Sequence, residues 1–141
     1  MAKNKKPTEE MEQVDVARYI ATNYPSIEFH SDFGSGARLT MGQAKRQKKL
    51  NADRRGWPDM FIAEPVGKYN GLFIELKRSG EKLHKKNGDW TCEHYKEQSE
   101  QMAKLKAKGY MAEFTVGLDE AISLVDKYMR GEYGRDTRRE N

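Results

Sequence analysis

The 141-residue sequence has a single cysteine, Cys92. No disulfide can close within the chain, and a lone thiol fits a reducing cytoplasm. No apolar run approaches the ~20 residues that cross a bilayer, so no membrane partner is expected. The opening Met-Ala-Lys-Asn-Lys-Lys-Pro is basic but lacks an apolar stretch, which argues against a secretory signal. Zinc-type spacing is missing too. Cys92, His84 and His94 are scattered, whereas a structural zinc site needs four N or S ligands at recognisable spacing. Gly34-Ser35-Gly36 is not followed by the strand–glycine–helix pattern that cradles phosphates, and no organic cofactor is expected. No internal repeat is present.

What the chain does have is charge. Charged residues make up 34% and hydrophobic residues 36%, enough for a lean core under a heavily solvated surface. The length suits one domain. It is expected over 9–130, between a disordered lead-in at 1–8 and a polar, flexible tail at 131–141. A net charge of +4 leans mildly toward polyanions.

The basic residues are not spread evenly. Residues 38–55 carry Arg38, Lys45, Arg46, Lys48, Lys49, Arg54 and Arg55 against one acid, Asp53. Apolar residues are too sparse there for a core helix, so an exposed helix over about Thr40 to Asn51 is expected. Clustered Lys and Arg displace counterions from nucleic acid and give salt-dependent affinity. A solvated charged face is the plainer alternative. Adjacency to the stretch that follows favours the phosphate-contacting reading.

That stretch runs from Gly56 to Lys77. Gly-Trp-Pro-Asp opens it, and Met60 to Ala63 is apolar, as a buried strand should be. Pro65 to Gly71 is turn-rich, and Leu-Phe-Ile-Glu-Leu-Lys closes it. Residues two apart in a strand share a face, so Glu75 and Lys77 project together while Leu76 turns into a core. If the two runs pair as a hairpin, Asp59 starts one strand where the other is ending. Two carboxylates and an amine then meet at one sheet end. Paired carboxylates form a hard oxygen site suited to Mg²⁺ or Mn²⁺.

The flanks read as supporting elements. Thr8 to Asn23 predicts a helix, with Thr8 as N-cap, acids in the first turn, an apolar stripe from Val16 to Tyr24, and Pro25 as the stop. Glu9 or Glu12 could face a metal site; both could equally be acids that suit the helix dipole. Ile27 to Phe33 alternates as a strand, with His30 on it. Residues 80–93 are expected as a loop, in which Lys82, Lys85 and Lys86 offer phosphate contacts. Trp90 could stack on an unpaired base or anchor the loop to the body. His94 to Lys108 predicts a helix ended by Gly109, then a strand at Tyr110 to Val116 and a helix from Leu118 to Met129. In that strand Tyr110, Ala112, Phe114 and Val116 form one face and Met111, Glu113 and Thr115 the other. The β–α–β order implies a parallel crossover. Arg135, Arg138 and Arg139 in the tail could add phosphate contacts.

Gly56-Trp57-Pro58-Asp59, with Glu75-Leu76-Lys77 beginning sixteen positions after Asp59, resembles the PD-(D/E)xK nucleases. Tyr69-Asn70-Gly71 before the second strand, Gln98 on the next helix, Lys108-Gly109-Tyr110, and Asp119-Glu120-Ala121 narrow the likeness. Together they resemble the VRR-NUC (virus-type replication–repair nuclease) group, in particular its small stand-alone, phage-type members. The likeness covers about Glu9 to Met129. It implies an α/β, restriction-endonuclease-like core, a mixed central sheet flanked by helices. It implies Asp59 and Glu75 as metal ligands, Lys77 as the catalytic lysine, and Gln98 pointing into the site. An acid from the first helix often completes such sites; Glu9 and Glu12 both remain open. Stand-alone members are similar to Holliday-junction resolvases and act as homodimers on branched DNA, which would place a phage-encoded member in the host cytoplasm. The long 80–93 loop departs from relatives, where it is often shorter.

The reaction expected is hydrolysis of a DNA phosphodiester by metal-activated water. Asp59, Glu75 and the main-chain carbonyl of Leu76 would hold the ion, Lys77 would stabilise charge, and Gln98 would position water or phosphate. Alternatives are a nuclease acting on flap or simple duplex ends, and a non-catalytic nucleic-acid binder on the same fold. An exposed strand end with a surface ion pair would explain Asp59, Glu75 and Lys77 without function.

Overall fold

The computed structural model describes residues 5–32 and 39–134. Four helices and four strands follow one another along them. They run as α1 (Glu9–Asn23), β1 (Phe29–Ser31), α2 (Met41–Leu50), β2 (Met60–Ile62), β3 (Leu72–Lys77), α3 (Glu93–Ala107), β4 (Met111–Val116) and α4 (Leu118–Met129). The sheet is mixed, in the order β1-β2-β3-β4. β1–β2 and β2–β3 are antiparallel and β3–β4 is parallel. This is the helix-flanked α/β architecture that the sequence led us to expect. No helix among the described residues is long and apolar enough to cross a membrane.

β3 is the centre of the fold. Its six residues are all buried, which suits a strand covered on both faces. Leu72, Ile74 and Leu76 pack with Val16 and Ile20 of α1 and with Ala121, Val125 and Tyr128 of α4. On the other face Phe73 packs with Met102 and Leu105 of α3 and Ala112 of β4. Glu75 and Lys77 share the Phe73 face by strand alternation, so both charges point beneath α3 rather than into solvent.

Local chemistry explains the starts of α1 and α2. The Thr8 hydroxyl accepts from the Met11 amide and starts α1. Thr40 and Gln43 form a reciprocal capping box that starts α2. Tyr19 and Tyr24 both donate to Asp126, at 2.8 and 2.6 Å, and tie α1 to α4.

Three readings from the sequence change. β1 is shorter than the alternation over Ile27 to Phe33 suggests, and Phe33 lies outside the described residues. β4 is not one-sided: Met111 joins the α1/α4 core, Ala112 and Phe114 pack under α3, and Thr115 is buried as well. Covered on both faces, a strand need not alternate. Residues 80–93 are not structureless either. A bridge pairs His84 with Trp90, the Thr91 amide donates to the Leu83 carbonyl, and the Lys85 amide donates to the Asp89 carbonyl.

Candidate active site

The hairpin β2–β3 pairs Met60 with Ile74, which brings the residue before β2 level with the end of β3. Asp59 and Glu75 therefore lie side by side. The Asp59 amide donates to Glu75 Oε2 at 3.1 Å, and the Leu76 amide donates to Asp59 Oδ2 at 3.2 Å. This reciprocal lock fixes both carboxyls against main chain. Both are almost wholly buried, Asp59 at 5% exposure and Glu75 at 0%.

Glu75 Oε1 collects two further donors. Lys77 Nζ lies 3.1 Å away, and Gln98 Nε2 donates at 2.6 Å. Lys77 and Gln98 are each 2% exposed. A surface ion pair, the non-functional alternative for these residues, does not describe a pair this deeply buried. Gln98 Oε1 is also buried and accepts no hydrogen bond among the described residues.

Burial and like charge act on this cluster. Desolvation, then the neighbouring Glu75 and Glu9, push the Asp59 carboxyl up to about 9, with Lys77 opposing. Desolvation also raises Glu75, and Lys77 holds that rise back. The neutral form is favoured because two carboxylates cannot both ionise comfortably in one dry site. His94 is held low by burial and by the charge of Lys77.

The two first-helix acids separate. Glu12 is buried and accepts from the Ser79 amide at 3.0 Å and the Ser79 hydroxyl at 2.8 Å, so both its oxygens clamp the turn after β3. Glu9, half-buried one turn earlier, is the acid whose charge reaches Asp59 and Glu75. Main-chain geometry supports the cluster from outside. Gly56 sits at φ +76°, and a Cβ there would stand 2.8 Å from the Glu97 carbonyl oxygen and 3.1 Å from the Gln98 amide nitrogen. Only glycine lets the Gly56–Asp59 segment pass this close to α3.

The remaining sequence candidates lie elsewhere. Lys45, Arg46, Lys48 and Lys49 are on α2, which buries no side chain, and Arg54 and Arg55 follow in exposed chain. Arg38 lies outside the described residues, as do Arg135, Arg138 and Arg139. Lys82, Lys85 and Lys86 are exposed on the 80–93 loop. Trp90 is half-buried, its ring 4.2 Å from that of His84 and 5.4 Å from that of Phe114, so it anchors the loop. Cys92 is an exposed free thiol. Among the described residues no three His, Cys, Asp or Glu side chains gather as a metal-binding group. Sequence reasoning missed Ser79, Glu81 and Tyr95. Tyr95 was findable, because it stands three positions before Gln98 on α3 and therefore on the same helix face.

No protein-family model matches the chain, and no curated protein matches it. A solved structure titled "VRR_NUC domain protein" does, at TM-score 0.65 and 24% identity, covering 93% of each chain. The fold is that of a VRR-NUC domain. At that identity the likeness speaks to the VRR-NUC architecture, and the chemistry has to be argued from the cluster at the end of β3.

Proposed function

We propose that this chain is a metal-dependent nuclease that hydrolyses DNA phosphodiester bonds at the Asp59–Glu75–Lys77–Gln98 cluster. The observation that carries the reading is the convergence of an ammonium and a carboxamide on Glu75 Oε1, beside a second buried carboxyl. Burying that many polar groups costs stability, and a site that accepts the cost is a candidate for chemistry.

The residues fit a hard divalent cation. The donors are all oxygen, the two carboxyls repel each other in a dry pocket, and Gln98 Oε1 is a buried acceptor with capacity to spare. Asp59 and Glu75, with the Leu76 carbonyl, would hold Mg²⁺ or Mn²⁺, and Glu9 is the first-helix acid best placed to add charge. When bound, such an ion lowers the pKa of a water and neutralises charge on a phosphate. The chain's own groups do the rest. Glu75 holds Lys77 Nζ and Gln98 Nε2 in fixed positions. Lys77 opposes the negative charge that builds on the phosphoryl oxygens. Gln98 orients water or a phosphate oxygen through its amide. α2 and Arg54–Arg55 supply phosphate contacts that carry no sequence information.

The substrate we assign is branched DNA, of the Holliday-junction type, cut by a homodimer. Resolving a four-way junction requires two opposed cuts and hence two such sites. Labelled four-way junction, flap, nicked and linear DNA, incubated with Mg²⁺ and protein, test this directly. The expected result is cleavage of the junction in preference to linear duplex, lost in Asp59→Ala and slowed on the order of a hundredfold or more in Lys77→Ala. Mutants that cut as well as wild type would remove the site assignment. Equal cutting of linear and branched DNA would leave a nuclease without the branched-DNA preference.

A further inference from the structure

The 80–93 loop reaches the cluster by a route that the nuclease reading does not use. Lys77 Nζ lies 4.6 Å from the centre of the Tyr95 ring, on its face. The Tyr95 hydroxyl donates to Glu81 Oε1 at 2.6 Å. Glu81 belongs to the turn that leads from β3 into the loop, and its amide is bonded to the Arg78 carbonyl at 3.0 Å. The loop is fixed in turn by its own His84–Trp90 bridge and by Trp90 against Phe114. A row therefore forms: Glu81 carboxylate, Tyr95 phenol, Lys77 ammonium, Glu75 carboxylate.

Each link has a physical consequence. An ammonium over an aromatic face is attracted by the ring quadrupole, more strongly where water is excluded. A lysine has four rotatable bonds, and a wall on one side with a carboxylate on the other selects one geometry among many. The Glu81 bond fixes the tilt of the ring and adds electron density to it. Burial and Glu81 both push the Tyr95 phenol up, so it remains a neutral donor.

Resting on the nuclease reading above, we propose that Tyr95 is a positioning residue: its ring holds the Lys77 ammonium in register with the scissile phosphate, and Glu81 holds the ring. Tyr95 touches neither DNA nor ion in this scheme and acts through Lys77.

The test uses Tyr95→Leu, Tyr95→Phe and Glu81→Gln in the full chain, assayed on the four-way junction with Mg²⁺. Tyr95→Leu is expected to lower kcat about tenfold, the size of a partly desolvated cation–π contact, with KM within about twofold. Tyr95→Phe keeps the ring but loses the Glu81 bond, so it should fall between wild type and Tyr95→Leu; Glu81→Gln keeps an acceptor for the Tyr95 hydroxyl and should retain at least as much of kcat as Tyr95→Phe. In a Lys77→Ala background Tyr95→Leu should cost nothing further, because the group it positions is gone. A full additional drop in that background, or wild-type kcat in Tyr95→Leu, overturns the proposal. Lys77 ε-CH₂ resonances, read by NMR, give a second readout that needs no cleavage. They should lie upfield under the ring current in wild type and Tyr95→Phe, and move to ordinary values in Tyr95→Leu. If Tyr95→Leu fails to fold, Tyr95→Phe and the resonance position in wild type decide it, and an ordinary wild-type shift overturns the proposal. Were wild type to cut no DNA while the upfield shift is present, the nuclease reading falls and with it the catalytic consequence, but not the ring's hold on Lys77.

Discussion

The end of β3 and helix α2 are both rich in charge, and they treat it in opposite ways. At the end of β3, Asp59, Glu75, Lys77 and Gln98 are buried, and each is bonded to another member of the cluster or to main chain. On α2 every side chain is exposed, and the helix is secured by its own capping box and by Asn51 at its end. The first arrangement fixes atoms in space and needs the whole fold to do so. The second sets up a field and needs little more than a helix. Chemistry that depends on tenths of an ångström belongs with the first, and polyanion attraction belongs with the second.

The contrast predicts different kinds of damage. Lys77→Ala should cost on the order of 10²–10³ in kcat, because charge stabilisation by a preorganised, water-excluded group disappears. DNA affinity should change little. Single-turnover cleavage and binding, measured separately, show whether the deficit falls where expected. Replacing Lys45, Arg46, Lys48 and Lys49 together by alanine should do the reverse. Affinity should fall at least about tenfold, and the log–log salt slope should shrink by roughly 0.9 for every phosphate that the variant no longer neutralises. The rate at saturation should hold. A flat salt response in wild type would return α2 to ordinary surface.

The two regions also differ in what pH does to them. The folded Asp59 carboxyl, raised to about 9, lies above its unfolded value of about 3.8. Without metal the folded chain therefore holds a proton that the unfolded chain releases. Stability from this group is full below the unfolded value and is lost as pH rises toward the folded one. The slope cannot exceed about 1.4 kcal/mol per pH unit for one proton. Chemical denaturation in chelator across that window should show wild type losing stability with pH relative to Asp59→Asn. An identical pH dependence would mean that Asp59 is not held protonated. Neutralising α2 should leave this dependence unaltered.

The smallest expected effect is mechanical. Gly56→Ala forces a Cβ against the Glu97 carbonyl at a positive φ and should destabilise by roughly 1–3 kcal/mol. Because that close approach lies beside Gln98, kcat should drop as well. Unchanged thermal unfolding would show that α3 can step aside.

Much of this was legible in the sequence, for reasons that differ by element. α1 announces itself through Thr8 as a cap, and Gly109 marks the end of α3, because capping is local chemistry; Thr40, the expected start of α2, caps that helix in the structure. The meeting of Asp59 with Glu75 and Lys77 was legible because a hairpin and a two-residue period place them, with no tertiary knowledge required. What stayed hidden depends on packing between distant segments. Glu9 and Glu12 look alike as first-turn acids until Ser79 claims Glu12. The alternation of β4 separates Met111 and Thr115 from Ala112 and Phe114 without saying that both faces are covered. Residues 80–93 look like bare loop until the His84–Trp90 bridge and the Tyr95–Glu81 bond are seen.

The most direct measurement is the single-turnover rate of Mg²⁺-dependent cleavage of a labelled four-way junction by wild type and by Asp59→Asn, with binding of the same DNA measured in parallel. Asparagine keeps the shape and removes the charge, so folding and DNA affinity should survive while the rate falls by at least about 10³. Cleavage by Asp59→Asn within a few-fold of wild type would contradict a reaction centred on the Asp59–Glu75 pair.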